Sequence, residues 1–318
     1  MGNGEDKRKK IFDKYVTQLR ILQENELLPE SITYKENTYI CPICLNEFSN
    51  EDLKSDSLNM LTLEDAPPRV LGGHSNTLSC KKCNSKAGHE IDCHLNKRLV
   101  ELDVRSFLPN TNSKAKFSYN GVLVQGQIQV DNKGEITVRH NEKFNEPNSF
   151  KKYIESAKNN NVINVEFVPS SVDVHKLEVA LLKTAYILAF EKYSYALILN
   201  DSYNIVREQI NNPGKYIYPI GFWTKQSSFR KKHEGVHVVD SGEFNGFYAI
   251  FSLNTSASNQ MFGVYLPVST LITDVVILKL RRKEGGFSLP LKSLKENEYF
   301  EDVENMELMY KYLNKKTK

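Results

Sequence analysis

The sequence predicts an α+β chain in two parts, a small cysteine-stapled unit followed by a larger mixed α+β domain. Three observations predict it. Four of the 5 cysteines form two Cys-x2-Cys pairs, CPIC at Cys41 to Cys44 and CKKC at Cys80 to Cys83. At 318 residues the chain exceeds the usual size of one domain. Beyond the second pair, alternating apolar segments mix with helical apolar stripes. The expected division is 1–37 as an N-terminal helical segment, 38–100 as the stapled unit and 101–318 as the α+β domain.

Each element has a local reason. Ile11, Tyr15, Leu19 and Leu22 recur at spacings of four and three, predicting a helix over 7–28 that Pro29 ends. Its role is packing or an interface. In the stapled unit, 50–56 is a polar loop, and Leu58 to Leu63 reads as a strand leading into Glu64. Pro67-Pro68 forces a turn and Gly72-Gly73 gives a second flexible point. Ser85 to Val100 reads as a helix that Gly88 weakens.

In the larger domain, Val122, Val124, Ile128 and Val130 keep one parity, and Ile136 and Val138 follow the turn-forming DNKGE, predicting a hairpin. A short helix is expected over 149–159 and a strand from Val162 to Val168. From Val174 to Tyr193 the apolar stripe is so wide that the helix should be buried. Phe247 to Leu253, Met261 to Leu266 and Val275 to Leu280 read as strands, and the tail KYLNKKTK as frayed.

With 40% hydrophobic and 25% charged residues, the composition is that of a folded globular protein. No apolar run reaches membrane-span length, and the charged N-terminus lacks a signal-peptide core. Asp6 stands where myristoylation favours Ser or Thr, so no membrane partner is expected and the cytoplasm is the expected location. In that reducing compartment the paired cysteines, with Cys93 left over, are metal ligands rather than disulfides. Four thiolates suit a tetrahedral structural zinc. The net charge of +3 permits an anionic partner without requiring one.

The segment CPIC…LTLEDAPPRVLGG…NTLSCKKCNSKAGHEID resembles the HNH endonuclease superfamily in its zinc-stapled, CxxC…CxxCN form. The resemblance covers about 38–98 and implies a ββα-metal fold. It places Glu64 at the family's acidic position, Asp65 at the histidine position and Asn84 at the final asparagine. Asn76 takes the middle asparagine, one residue nearer the knuckle than is common. Cys41, Cys44, Cys80 and Cys83 would hold zinc. Glu64, Asp65 and Asn84 would hold a catalytic Mg2+ or Mn2+, a hard cation served by oxygen donors. Asp65, His74, Asn76 and Asn84 form the expected catalytic set.

Asp65 departs from the pattern, because a carboxylate is a weaker base than histidine at neutral pH. Three readings stand open. Asp65 serves as base or as a further metal ligand; His74 or His89 supplies the base; or the site is degraded and kept for binding. On a regular helix His89 lies about 140° and Asp92 about 80° from Asn84, which leaves Asp92 a weak ligand candidate. Cys93 and His94 have no paired motif and read as packing or surface residues. Lys81, Lys82 and Lys86, with Lys97 and Arg98 nearby, read as phosphate contacts or as a solvated helix face. Arg230 to His233 and Lys279 to Lys283 extend that track or are plain surface. Phe222 and Trp223 are a stacking platform or core.

The expected function is a divalent-metal-dependent endonuclease hydrolysing phosphodiester bonds in DNA, of restriction or phage-defence type. The alternative is a degraded zinc module that binds nucleic acid or a protein. The expected partner is nucleic acid, DNA first, with a homo-oligomer or accessory protein left open.

Overall fold

The computed structural model describes residues 3–29, 32–140, 142–156, 163–168, 170–240, 244–268, 275, 277–278, 291–292 and 298–314. The chain is mixed α+β, with a cysteine-cluster module near the N-terminus and larger sheets beyond it. Two compact units divide it: Met1–Leu95 with Asp173–Leu253 and Gln260–Lys318, and Asn96–Val172 with Asn254–Asn259. The expected divisions at 37/38 and 100/101 are therefore not unit boundaries. The cysteine module shares a unit with later helices and strands because their side chains complete its packing.

In the first unit, helix α1 (Asn3–Glu24) buries Phe12, Tyr15, Gln18, Leu19 and Leu22, whereas Ile11 is only half-buried. It ends before Pro29, in a Schellman closure. Glu26 turns left-handed at φ 56°, Leu27 N–H donates to Leu22 O at 2.9 Å and Glu26 N–H to Gln23 O at 3.2 Å.

Strands β1 (Tyr39–Ile40) and β2 (Glu47–Phe48) pair antiparallel around the first knuckle. Strands β3 (Leu61–Ala66) and β4 (His74–Cys80) form a second hairpin with an irregularity between Glu64 and Asp65. The first strand of that hairpin thus runs through the ED pair instead of ending before it, and Leu58 is 99% exposed. Between the strands, the turn passes Pro67 and Pro68 and needs Gly73. A Cβ there would meet Pro67 O at 1.5 Å, closer than any side chain tolerates.

Helix α2 (Lys81–Ala87) begins directly on the second knuckle, where Cys80 Sγ accepts from Cys83 N. A π turn (Gly88–Asp92) and helix α3 (Cys93–Arg105) continue it, so the expected helix over 85–100 starts earlier and ends later. Four- and five-residue turns alternate here, and the π turn breaks the 3.6-residue phase used to place His89 and Asp92.

Helices α4 (Pro147–Ser156) and α5 (Val174–Tyr193) come next in the chain. The first lies within the expected 149–159 apart from an earlier start, with 157–159 outside the described residues. The second has the expected bounds, and is the centre of the first unit. Ala180, Leu181, Leu182, Ala185, Tyr186, Ile187, Ala189 and Phe190 are each 0% exposed. Burial of each Leu, Ile or Phe contributes roughly 2 kcal/mol. Helix α5 packs against β3, β4 and the π turn. Short α6 (Tyr195–Ile198) and α7 (Asn204–Asn211) follow it.

The second unit holds an antiparallel sheet of β5 (Thr111–Tyr119), β6 (Val122–Val130), β7 (Ile136–His140) and β8 (Asn164–Phe167), in the order β7-β6-β5-β8. The expected hairpin is β6–β7, closed by Asp131, whose carboxylate accepts from Lys133 N and Glu135 N at 2.8 and 2.9 Å. Strand β5 was not expected. Its inward Ala115 and Phe117 meet Val124, Ile128, Val130 and Tyr153 in the core. The expected strand at 162–168 is β8, with Val162 itself outside the described residues.

The first unit also holds a five-stranded sheet of β9 (Trp223–Lys225), β10 (Gly235–Val239), β11 (Gly246–Asn254), β12 (Asn259–Pro267) and β13 (Leu291–Lys292), in the order β13-β10-β11-β12-β9. Its β11 and β12 are the strands expected at 247–253 and 261–266. Of the expected strand at 275–280, the described Val275, Ile277 and Leu278 are helical instead, and the basic group 279–283 and the last residues of the tail lie outside the described residues. The described C-terminal helix is Val303–Leu313. No helix among the described residues is long and apolar enough to cross a membrane.

Candidate functional site

Cys41, Cys44, Cys80 and Cys83 converge, with all four Sγ atoms within 4.8 Å of one another. The Cys44–Cys80 separation is 3.9 Å, close to the ~3.8 Å edge of a tetrahedron with Zn–S bonds of about 2.3 Å. The thiols are free rather than bridged. Burial pushes the Cys41 thiol well above its ordinary value. Four thiolates at this spacing need a cation among them, so the cluster fits a metal ion such as zinc.

The knuckle is also supported from outside. Tyr186 OH donates to Pro42 O at 2.7 Å, Tyr195 OH to Ile40 O at 2.9 Å and Asn211 Nδ2 to Ile43 O at 3.1 Å. Three backbone acceptors of the first knuckle are thus satisfied by residues far along the chain.

The expected catalytic residues separate into three groups. Glu64 points inward and is 1% exposed. Its Oε1 lies 2.9 Å from Lys183 Nζ, and its Oε2 accepts from Ser79 Oγ. Lys183 comes from α5, is 1% exposed, and also meets Asp92 Oδ2 at 2.6 Å. Burial opposes the ammonium charge, but Glu64 and Asp92 overcome it and hold the Lys183 pKa above its ordinary value. Burial raises the Asp92 carboxyl, against the pull of Lys183, and the charges of Glu64 and Asp65 add to the rise.

In the second group, Asn84 Nδ2 donates to Thr62 Oγ1 at 3.0 Å and to Leu63 O at 2.9 Å, tying α2 to β3. The third group lies at the turn end of the β3–β4 hairpin. Asp65 is half-buried and accepts from Ser75 Oγ. Exposed Asn76 donates to Glu191 Oε1 of α5 at 2.7 Å. Burial raises the Glu191 carboxyl, and the Asn76 bond, Lys14 and His74 pull it back. His74 is exposed beside it.

Of Glu64, Asp65 and Asn84, the set implied for a catalytic divalent ion, Glu64 is not open to one in this arrangement. The Glu64 carboxylate already carries an ammonium, while Asn84 uses its Nδ2 to brace β3. Asp92, the weak ligand candidate, is instead a partner of Lys183.

The remaining candidates are more ordinary. Lys81 and Lys82 are exposed, whereas Lys86 Nζ donates to Asn211 O at 2.6 Å. His89 Nδ1 lies 2.8 Å from Ser85 O, His94 Nδ1 accepts from Asp173 N at 3.0 Å, and Cys93 Sγ donates to His89 O. Arg98 pairs with Glu101 at 3.1 Å, and Lys97 is exposed. Arg230 to Lys232 are exposed. Phe222 is buried and Trp223 Nε1 donates to Glu178 Oε1 at 3.0 Å, which makes both packing residues.

Sequence reasoning missed Lys183. The signal was present in VALLKTAYILAF, residues 179–190, where Lys183 is the one charge in an otherwise largely apolar stretch of helix. A charge in such a helix must be paired internally. Comparison with known proteins returned no matching family model, no matching curated protein and no matching solved structure.

Proposed function

We propose that the chain is a zinc-stapled, HNH-type module that binds nucleic acid, DNA in the first instance, and does not hydrolyse it through a cation held at Glu64. The observation that carries this reading is the buried Lys183–Glu64–Asp92 group, present together with a converged four-cysteine frame. Hydrolysis of the HNH kind needs the acidic position open to a divalent ion, and an ammonium at 2.9 Å competes for the same carboxylate. Binding needs only surface cations, and Lys81 and Lys82 remain exposed at the start of α2, with Arg69 and His74 exposed in the same hairpin.

A second reading, the divalent-metal-dependent endonuclease of restriction or phage-defence type, is favoured by Asp65. Its carboxylate is half-exposed beside the hairpin irregularity, where an active variant would use it. Plasmid incubated in Mg2+ or Mn2+, together with DNA-binding titrations across salt, separates the two. The module reading expects binding that weakens with salt, a slope shallower by about 2 in the Lys81→Ala/Lys82→Ala variant, and no cleavage. Cleavage abolished by Asp65→Ala or Asn84→Ala establishes the endonuclease instead. Absence of both binding and cleavage overturns both readings.

A further inference from the structure

We infer that Lys183 is the resident cation of the HNH-like site: its ammonium occupies the place at Glu64 that a divalent metal ion would otherwise take. The inference rests on the HNH-type reading of the hairpin and helix, and goes beyond it by assigning a residue of α5 to the site.

Three observations converge. The first is placement. The lysine approaches from α5, while Glu64 sits on β3 and Asp92 in the π turn, so three separate elements meet at one nitrogen. The side chains of Lys183 and Glu64 are 2% and 1% exposed, and that of Asp92 13%. The second is charge. Two carboxylates against one ammonium leave a surplus negative charge, and Asp92 Oδ1 is buried without a hydrogen-bond partner among the described residues. Two carboxylate charges are what a divalent ion would balance; the lysine balances one.

The third observation is permanence. Lys183 projects from a helix whose flanking Leu181, Leu182, Thr184 and Ala185 are all buried. Withdrawing the ammonium would mean moving the central helix of the unit, so the substitution of lysine for metal is built into the fold and is not a gate. A tethered charge also loses less freedom on binding than a captured ion, and it excludes the ion by occupancy and by repulsion.

Mn2+ binding to the zinc-loaded full chain, read by electron paramagnetic resonance in the absence of DNA, tests this. The unaltered protein is expected to show no Mn2+ site that Glu64→Gln removes. Lys183→Met, which keeps the length of the stem and deletes the charge, is expected to gain one such site, about tenfold or more tighter than anything in the unaltered protein and lost again in Lys183→Met/Glu64→Gln. A Glu64-dependent Mn2+ site in the unaltered protein overturns the inference. So does a folded Lys183→Met that gains none. Should Lys183→Met fail to fold, Lys183→Gln is read in the same way, and the comparison of unaltered protein with Glu64→Gln still decides whether Glu64 is open to metal. Because no DNA is present, failure here leaves the nucleic-acid reading standing, and loss of DNA binding leaves this inference standing.

Discussion

Lys183 shows how differently one ion pair weighs from another. Lys9–Asp13 on α1 is spaced at 2.7 Å, yet both side chains are about half-exposed, 49% and 55%, and the pair adds under ~0.5 kcal/mol. Lys183–Glu64 is longer at 2.9 Å but lies almost wholly out of water. Removing one buried partner leaves an uncompensated charge, at a cost of about 3–5 kcal/mol, whereas removing the charge from both partners is far milder. Urea unfolding is therefore expected to show Lys183→Met and Glu64→Gln each strongly destabilised, and the double variant recovering a large share of that loss. Asp92 keeps a buried carboxyl without its Lys183 partner in the double variant, so recovery should be partial and improve further with Asp92→Asn. Simple additivity of the two single effects would show that Lys183 and Glu64 are not coupled.

At the scale of elements, the cysteine frame is held from two sides, by whatever ion joins its thiols and by the tyrosines of α5 and α6. Only the first is sensitive to a chelator. Removing a structural zinc from a short β1–β2 hairpin and a two-turn α2 takes away the link between them, and neither element is stable by itself. Zinc-loaded protein treated with chelator is thus expected to lose thermal stability by about 5 °C or more, an effect of roughly 3 kcal/mol or more on a chain of this size. Cys80→Ser should behave alike without chelator. An unchanged melting temperature and no zinc in the purified protein by elemental analysis would remove metal from the frame. The frame was legible in the sequence because Cys-x2-Cys spacing is local chemistry. Helix α5 was equally legible, since a wide apolar stripe without Pro or Gly has few alternatives. Strand β5 was missed because Lys114, Lys116 and Ser118 alternate with only Ala115, Phe117 and Tyr119, a weak pattern that becomes a strand through pairing on both edges. The candidate site could be proposed from a motif, but not its geometry. Glu64 and Asp65 were identified by position, but whether Glu64 faces water depends on a lysine far along the chain, and no local pattern encodes that partner.

Across the first unit, the core is unusually phenolic, and this sets its response to alkali. Tyr15, Tyr39 and Tyr195 stack edge to face with centroids 5.6–6.1 Å apart, and Tyr203 is as deeply buried. Burial, before any neighbouring charge, raises all four phenols well above the ordinary 10.0. In the unfolded chain they ionise near that ordinary value. Above about pH 10 the folded state therefore binds more protons than the unfolded one, and stability falls as pH rises, by up to about 1.4 kcal/mol per pH unit for each phenol. Below pH 10 these groups leave stability unchanged. Lys183, also held above its ordinary 10.5, acts in the same direction from that value upward, because the unfolded chain releases its proton first. Four phenols acting together reach a slope of roughly 5–6 kcal/mol per pH unit, against a total stability of about 5–15 kcal/mol. A cooperative transition is expected between pH 10 and 12, in which tyrosinate absorbance rises as a step together with loss of the circular dichroism signal. Tyr15→Phe and Tyr203→Phe each remove one ionising group and should shift the midpoint upward; neither hydroxyl has a hydrogen-bond partner among the described residues, so little is lost with it. If tyrosinate instead forms gradually near pH 10 while the dichroism persists, the phenols are reached by water in the folded protein, and the dry core described for α1, α5 and α6 is wrong.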